Sequence, residues 1–234
     1  MNISPELKIY DKLLQFPLFQ GMSYAELMQV VAHTKMGFVK MTAGQRIVRE
    51  GDVCNPLYFL INGTVKTETE SDGHSYSVEE SISAPYMIQP ERLFGMYQRY
   101  SSSFKTVTPC HFITIDKQEV MLLLETQMTF RINMLTLLTT DIQRMAHQPW
   151  RQVPQSLALR LTRFFIQHTL RPAGSKTFHI TMVQLAEELN CKRRDVSIAL
   201  NDMQDKELLT FSRGRINIPS LERLLMLKQI NIRK

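Results

Sequence analysis

The sequence predicts an α+β protein with a β-rich N-terminal half, a long central helix and a mainly helical C-terminal domain. From Phe38 to Ile115, short β-branched and aromatic runs alternate with turn residues, and after Asp116 the apolar residues take helical spacing. Residues up to Trp150 include 13 basic and 15 acidic side chains, net −2, whereas the remainder has 15 basic and 7 acidic, net +8. We expect boundaries at 1–116, 117–153 and 154–234.

Composition narrows the class of protein. No apolar run in the 234 residues has the length of a membrane helix, and the N-terminus lacks the apolar core of a signal peptide, so we expect a cytoplasmic protein with no membrane partner. Cys54, Cys110 and Cys191 are far apart without a CxxC pair, which excludes a disulfide framework and a four-thiolate cluster within one chain. We expect three buried thiols, no metal site and no cofactor.

The N-terminal region starts with a helix and continues as short strands. Ser23 and Glu26 have the spacing of a capping box. Asn62-Gly63 separates two β-rich runs and predicts a hairpin between them. A further strand is predicted at His111–Ile115. Short strands at this spacing favour a sandwich or a barrel-like roll.

The helix after Asp116 has two apolar stripes. One has the alternating three- and four-residue steps of a coiled-coil seam: Met128, Ile132, Leu135, Leu138, Ile142 and Met145. Phe130, Met134 and Leu137 form the other. Either one stripe packs on the β-roll and the other on a second copy of the chain, or both belong to one wide core-facing surface. Pro149 and Pro154 then predict a hinge, followed by an amphipathic helix from Leu157 to Phe165.

Residues 181–204 have the layout of a helix-turn-helix. Thr181 and Gln184 can cap the first helix, Ala186 is small where two helices approach, and Asn190 tolerates the left-handed turn between them. The second helix has Val196, Ala199 and Leu200 on its inward side. A hairpin with a basic tip follows between Leu208 and Ile218.

The outward residues of this segment are mainly cationic or polar. We predict DNA contacts from Thr181, Lys192, Arg193, Arg194, Ser197 and Asn201, and from Arg213 and Arg215 at the hairpin tip. The helix dipole gives no reason to place cations at a helix N-terminus, whereas a helix end directed at phosphates and base edges does. The alternative is an ordinary helical hairpin with solvated charges.

These segments together resemble the CRP/FNR regulators. Gly44–Asp52 and Leu57–Lys66 are similar to the glycine pattern of cyclic-nucleotide-binding domains, and the order of long helix, prolines and helix-turn-helix is the family's order. The resemblance implies a jelly-roll-like double-stranded β-helix as sensor, a dimerisation helix and a winged helix-turn-helix. It also places Arg193 at the guanine-reading arginine, Arg194 at an acidic base-reading position and Ile198 at a second basic one. We therefore do not expect this protein to recognise the DNA half-site sequence of the best-known members.

The sensor departs from the cyclic-nucleotide binders that it resembles. Where those have Gly-Glu-Leu for the ribose and Arg-Ser for the phosphate, this chain has Gln89-Pro90-Glu91 and Tyr100-Ser101. The adenine-contacting Thr-Ser pair falls on Met145-Ala146. A phenol does not replace a bidentate Arg–phosphate contact, so we do not expect cyclic AMP binding. The candidate effector pocket comprises Gln89, Pro90, Glu91, Arg92, Arg99, Tyr100 and Ser101.

The leading interpretation is a homodimeric, sequence-specific transcription regulator, not an enzyme. Its expected partners are double-stranded DNA with a two-fold symmetric operator, a second copy of itself, RNA polymerase and an unidentified small-molecule effector. The alternatives are a stand-alone small-molecule or cyclic-nucleotide sensor and an architectural protein without sequence preference. Haem sensing also stays open, although the six histidines form no suggestive pair.

Overall fold

The structure, a computed structural model, describes residues 5–73, 75–147 and 152–232. The helices in these ranges are α1 Pro5–Leu13, α2 Tyr24–His33, α3 Lys117–Thr126, α4 Met128–Ala146, α5 Leu157–Gln167, α6 Met182–Glu188, α7 Arg193–Asp205 and α8 Leu221–Ile232. The strands are β1 Met36–Met41, β2 Arg46–Val48, β3 Pro56–Asn62, β4 Thr64–Glu70, β5 Ser77–Ser83, β6 Tyr86–Met87, β7 Ser103–Thr106, β8 Cys110–Asp116, β9 Lys176–His179, β10 Thr210–Ser212 and β11 Arg215–Ile218. The α+β class is confirmed. None of the described helices is both long and apolar enough to cross a membrane.

The chain packs as two compact units that are not continuous in sequence. The first comprises Met1–Val65, Ser83–Ser101 and Lys105–Arg151. The second comprises Lys66–Ile82, Ser102–Phe104 and Gln152–Lys234. A segment from the N-terminal half, containing most of β4 and β5, therefore belongs to the unit that holds the helix-turn-helix.

The first unit is built on an antiparallel sheet with the order β1-β8-β3-β6. Aromatic rings fill its core: Phe16 meets Phe59 edge to face with centroids 5.1 Å apart, and Phe19 lies 5.4 Å from Phe130 of α4. All four rings are buried. Helix α4 is thus fixed to this unit through one of its two apolar stripes.

The hairpin predicted at Asn62-Gly63 is wrong. β3 ends and β4 begins at this turn, but β3 pairs with β8 and β6, whereas β4 lies beside β5 and β7 in the other sheet. Gly63 has φ +98°, and a Cβ there would lie 2.5 Å from the Pro109 carbonyl oxygen. The Asn-Gly pair therefore permits a sharp bend between sheets, and the bend alone does not determine which strands pair.

The second unit contains the sheet β10-β11-β9-β5-β4-β7, to which β7 contributes Ser103 and Phe104. β5 and β9 are antiparallel, with Val78 opposite Phe178 and Glu80 opposite Lys176. Helices α5 to α8 pack around one apolar core that includes Val78, Phe165, Phe178, Leu185, Val196 and Leu200.

Several local predictions are confirmed. The Ser23/Glu26 capping box is present, with the Glu26 carboxylate accepting the Ser23 amide proton at 2.7 Å. Helix α5 buries Leu161, Phe164 and Phe165, as its pattern indicates. Cys54 and Cys110 are buried as predicted, but the prediction is wrong for Cys191, which is only partly buried because it lies in the turn before α7. Pro149 lies outside the described residues, so the hinge stays a prediction.

Candidate nucleic-acid interface

Helices α6 and α7 form the predicted helix-turn-helix. Thr181 and Gln184 make a reciprocal capping box at the start of α6. Asn190 adopts φ +46° in the turn, and the amide of Cys191 donates to the Ala186 carbonyl at 2.9 Å. Val196, Leu200 and Met203 bury one side of α7. Because the inward side is fixed by this packing, the opposite side of α7 faces solvent.

The N-terminal end of α7 is strongly cationic and exposed. Lys192 is the N-cap residue and makes no side-chain cap hydrogen bond, while Arg193 and Arg194 occupy the first turn. All three side chains are exposed, and Asp195 is the acid in that turn. Adjacent cations repel each other and oppose the helix dipole, so a polyanion at this end would stabilise the arrangement.

The other two predicted contacts on α7 hydrogen-bond each other. The Asn201 side-chain amide donates to the Ser197 carbonyl at 2.8 Å. Asn201 is exposed and Ser197 is partly buried. One amide proton of Asn201 is therefore used within the helix, which leaves its oxygen and second proton available.

The predicted wing is formed by β10, β11 and the turn between them. Thr210, Phe211 and Ser212 pair with Asn217, Ile216 and Arg215. The turn is Arg213-Gly214, with Gly214 at φ +73°, and Arg213 and Arg215 are both exposed. The tip therefore presents two cations on a short antiparallel hairpin.

A cleft of about 420 Å³ lies between the wing and the helix-turn-helix. It brings together three of the predicted contacts, Thr181, Arg193 and Arg213. Met182, Val183 and Phe211 line the same cleft and were not among the predicted site residues. The sequence could have indicated Val183 as an exposed apolar residue. It lies two positions after the N-cap, on the first turn of α6, and on the side away from the buried Leu185. Arg215 and Asn201 are not among the residues that line this cleft.

The two stripes of α4 have different environments. Phe130 and Met134 are buried in the first unit. In the other stripe, Met128, Ile132, Leu135, Ile142 and Met145 are 51% to 67% exposed, and Leu138 is partly exposed. A single wide stripe covered by the chain's own core is therefore wrong. The protomer leaves a row of large apolar side chains uncovered along one helix.

In the sensor, Gln89 hydrogen-bonds Ser101, one of the residues of the predicted effector pocket. Its Oε1 accepts the Ser101 amide proton at 2.9 Å, and its Nε2 donates to Ser101 Oγ at 2.7 Å. Gln89 is buried and has φ +40°. The backbone amide and hydroxyl of Ser101 are thus both occupied by one internal side chain.

The neighbouring residues are also held by protein atoms. The Tyr100 hydroxyl donates to the Pro56 carbonyl at 3.1 Å, and burial together with the adjacent Cys54 raises the pKa of this phenol. Arg99 donates from Nη1 to the Gly51 carbonyl at 2.7 Å. These bonds fix Tyr100 as a neutral core group.

Pro90, Glu91 and Arg92 form one turn of 3₁₀ helix. The Nε of Arg92 is buried without a hydrogen-bond partner among the described residues, and the Glu91 carboxylate is 3.8 Å away. In the described ranges, no three His, Cys, Asp or Glu side chains come together as a metal site.

Two family profiles match the chain. The cyclic nucleotide-binding domain matches residues 38–127, and the Crp-like helix-turn-helix domain matches residues 159–227. No curated protein gives a match.

Solved structures are similar at low sequence identity. The sensor domain of the transcriptional regulator DNR from Pseudomonas aeruginosa is 17% identical, covers 65% of this chain and 97% of its own, and has a TM-score of 0.51. The catabolite activator protein of Thermus thermophilus is 18% identical, with 89% and 96% covered and a TM-score of 0.48. The regulator CLP of Xanthomonas campestris is 16% identical, with 84% and 99% covered and a TM-score of 0.47.

The two profile matches occur in the order in which the structure places the β-rich and helix-turn-helix segments. The match to the DNR sensor domain supports the fold of the N-terminal part. With a domain of the cyclic-nucleotide-binding fold followed by a Crp-like helix-turn-helix, the chain belongs to the CRP/FNR family of transcription regulators.

Proposed function

We propose that the protein is a cytoplasmic, homodimeric transcription factor that binds a two-fold symmetric operator and has no enzymatic activity. The observation that carries this proposal is the exposed cationic start of α7 beside the basic tip of the wing. The sensor would modulate DNA binding in response to a small molecule other than cyclic AMP, and the DNA-bound dimer would act on RNA polymerase.

The charge distribution supports binding to a polyanion. Lys192, Arg193 and Arg194 lie at the start of an exposed helix, and Arg213 faces the same cleft as Arg193. A helix with cations at its N-terminal turn fits the major groove, where arginine can donate two hydrogen bonds to guanine. Wing-tip cations more readily meet phosphates, which position a protein without reading sequence.

The uncovered stripe of α4 supports the homodimer. Two copies related by a two-fold axis would present this stripe to each other and cover it with identical side chains. Dimers of helix-turn-helix proteins place two recognition helices about one DNA turn apart, so a palindromic operator follows from the symmetry.

The contacts of Gln89 support an effector other than cyclic AMP. A cyclic phosphate bound at Ser101, which resembles the serine of the family's phosphate-binding pair, would have to displace its two hydrogen bonds with Gln89. The position that resembles the family's phosphate-binding arginine holds Tyr100, whose hydroxyl is already bonded to a carbonyl. Neither residue brings a positive charge to the phosphate.

The test compares base reading with phosphate binding. Arg193→Ala should weaken operator binding by about 1–3 kcal/mol per half-site and relax preference at one base pair. Arg215→Ala should weaken operator and random DNA equally and reduce the salt slope by roughly one unit per half-site. Binding isotherms on operator and scrambled duplexes at several salt concentrations measure both effects.

Each outcome decides between functions. If Arg193→Ala lost the same binding free energy on the operator and scrambled duplexes, Arg193 would not be a base-reading residue. Equal affinity of the unmodified protein for operator and scrambled DNA would indicate an architectural protein. If neither substitution changed DNA binding, the helix-turn-helix would not be the DNA-binding element, and the stand-alone sensor would become the better interpretation.

A further inference from the structure

The outward face of α7 carries one large apolar side chain. Ile198 is 59% exposed, although its helix neighbours on that side are polar or charged. With about 100° between successive residues, Ile198 lies within about 15° of the direction opposite Val196, Leu200 and Met203. It therefore occupies the centre of the face that the core leaves to solvent.

The groups around Ile198 make its position informative. Arg194 is one turn earlier and Asn201 one turn later on the same face, and the Asn201 amide is partly committed to the Ser197 carbonyl. Single exposed apolar residues are common on protein surfaces. An isoleucine between an arginine and an asparagine, at the middle of a recognition helix, instead matches a target that offers an apolar group between polar base edges.

The major groove offers one such group, the C5 methyl of thymine. A β-branched side chain in a helix has essentially one χ1 rotamer, so Ile198 loses little conformational freedom when it makes a contact. The five residue steps from Arg193 to Ile198 rise about 7.5 Å along the helix, which corresponds to about two base-pair steps.

We propose that Ile198 determines specificity by contacting the C5 methyl of one thymine in each half-site, about two base pairs from the guanine contacted by Arg193. This inference rests on the proposed DNA-reading role of α7. It adds a defined chemical requirement to that role: the thymine methyl itself, and not only the hydrogen-bonding pattern of the A·T pair.

The experiment removes either the thymine methyl group or the isoleucine side chain from the proposed contact. Once selection from random duplexes has given the operator, each thymine is replaced in turn by deoxyuridine, which lacks only the methyl group. For the unmodified protein, deoxyuridine at one symmetric pair of positions should weaken binding about fourfold per half-site, or about sixteenfold in total. Fourfold corresponds to about 0.8 kcal/mol, the value for one buried carbon group. Ile198→Ala should bind the thymine and deoxyuridine operators equally.

Met226→Ala is the matched control. Met226 is 62% exposed on α8, so the substitution removes a comparable exposed apolar side chain from the same unit. This variant should keep the full preference for thymine over deoxyuridine. Circular dichroism of both variants checks that the helix-turn-helix is folded.

The inference would be overturned if no deoxyuridine position distinguished the unmodified protein from Ile198→Ala. It would also be overturned if Ile198→Ala bound the thymine operator as tightly as the unmodified protein. A failure of the proposed function gives a different result, since operator and scrambled duplexes would then bind equally before any thymine is replaced.

Discussion

A fully buried ion pair connects β5 to β9 in the second unit. Lys176 Nζ lies 2.7 Å from the Glu80 carboxylate, and the two side chains are 0% and 1% exposed. Glu80 also accepts the backbone amide protons of Leu170 and Arg171, and Lys176 donates to the Ala173 carbonyl at 2.8 Å. The ion pair itself is buried, whereas the contacts to the backbone of Leu170, Arg171 and Ala173 are partly buried.

Replacing Lys176 with methionine should destabilise this unit strongly. The substitution leaves the Glu80 carboxylate buried with two amide donors but without its counter-ion, and breaking a buried pair in this way costs about 3–5 kcal/mol. Lys66→Met is the matched control, because Lys66 pairs with Glu79, the residue before Glu80 on the same strand. Those side chains are 43% and 18% exposed, so the loss should be about 0–1 kcal/mol.

Urea unfolding followed by circular dichroism gives the free-energy differences, and hydrogen exchange of peptides from β5 and β9 assigns them to this sheet. A Glu80→Leu/Lys176→Met double variant removes both charges but leaves the amides of Leu170 and Arg171 without an acceptor. Its stability should therefore fall between those of Lys176→Met and the unmodified protein. If Lys176→Met cost no more than Lys66→Met, the reasoning from burial would be refuted.

Three further results are expected. Replacing Leu135 and Ile142 together with lysine should give monomers that lose operator affinity, and a double variant that still sediments as a dimer would contradict the α4 interface. Cyclic AMP should leave the melting temperature and DNA affinity unchanged, whereas a ligand at about a hundred times its Kd would stabilise the fold by roughly 2.7 kcal/mol. Burial opposes ionisation of Glu79, but Lys66 and His179 outweigh it and lower its pKa below the ordinary 4.5. The stability that this shift contributes is fully present above pH 4.5 and is lost as the pH falls through the lower pKa that Glu79 has in the folded state. Lys66→Met should therefore flatten the acid branch of a curve of unfolding free energy against pH. An unchanged acid branch would show that the Lys66–Glu79 pair does not cause it.

The sequence predicted those features that depend on neighbouring residues. Both capping boxes need a hydroxyl and a carboxylate or amide three residues apart, and that spacing is visible without a structure. Asn190 was identified because few other residue types adopt a left-handed turn at low cost. The exposure of the basic end of α7 could be predicted from the helix register and the positions of its apolar residues alone.

Features that depend on distant residues were missed or assigned wrongly. Asn62-Gly63 marks a bend in the chain, but whether β4 pairs with β3 or with β5 depends on strands elsewhere in the sequence. The pairing of β5 with β9 joins residues almost a hundred positions apart, such as Glu80 and Lys176, and no local pattern indicates it. For the same reason, the cleft that contains Arg193 and Arg213 could be described only after the wing was placed.

The candidate functional residues are those whose side chains are not covered by the protomer's own packing. Both stripes of α4 are apolar in the sequence, and only burial of Phe130 and Met134 shows that the other stripe needs a partner. The same argument applies to Ile198, since the core of the second unit is complete without it. Gln89 and Ser101 show the opposite case, because their polar groups hydrogen-bond each other inside the sensor and are not left exposed for a ligand. The uncovered surfaces therefore favour a second protomer and DNA as partners, and the hydrogen bonds between Gln89 and Ser101 are consistent with our prediction that cyclic AMP does not bind.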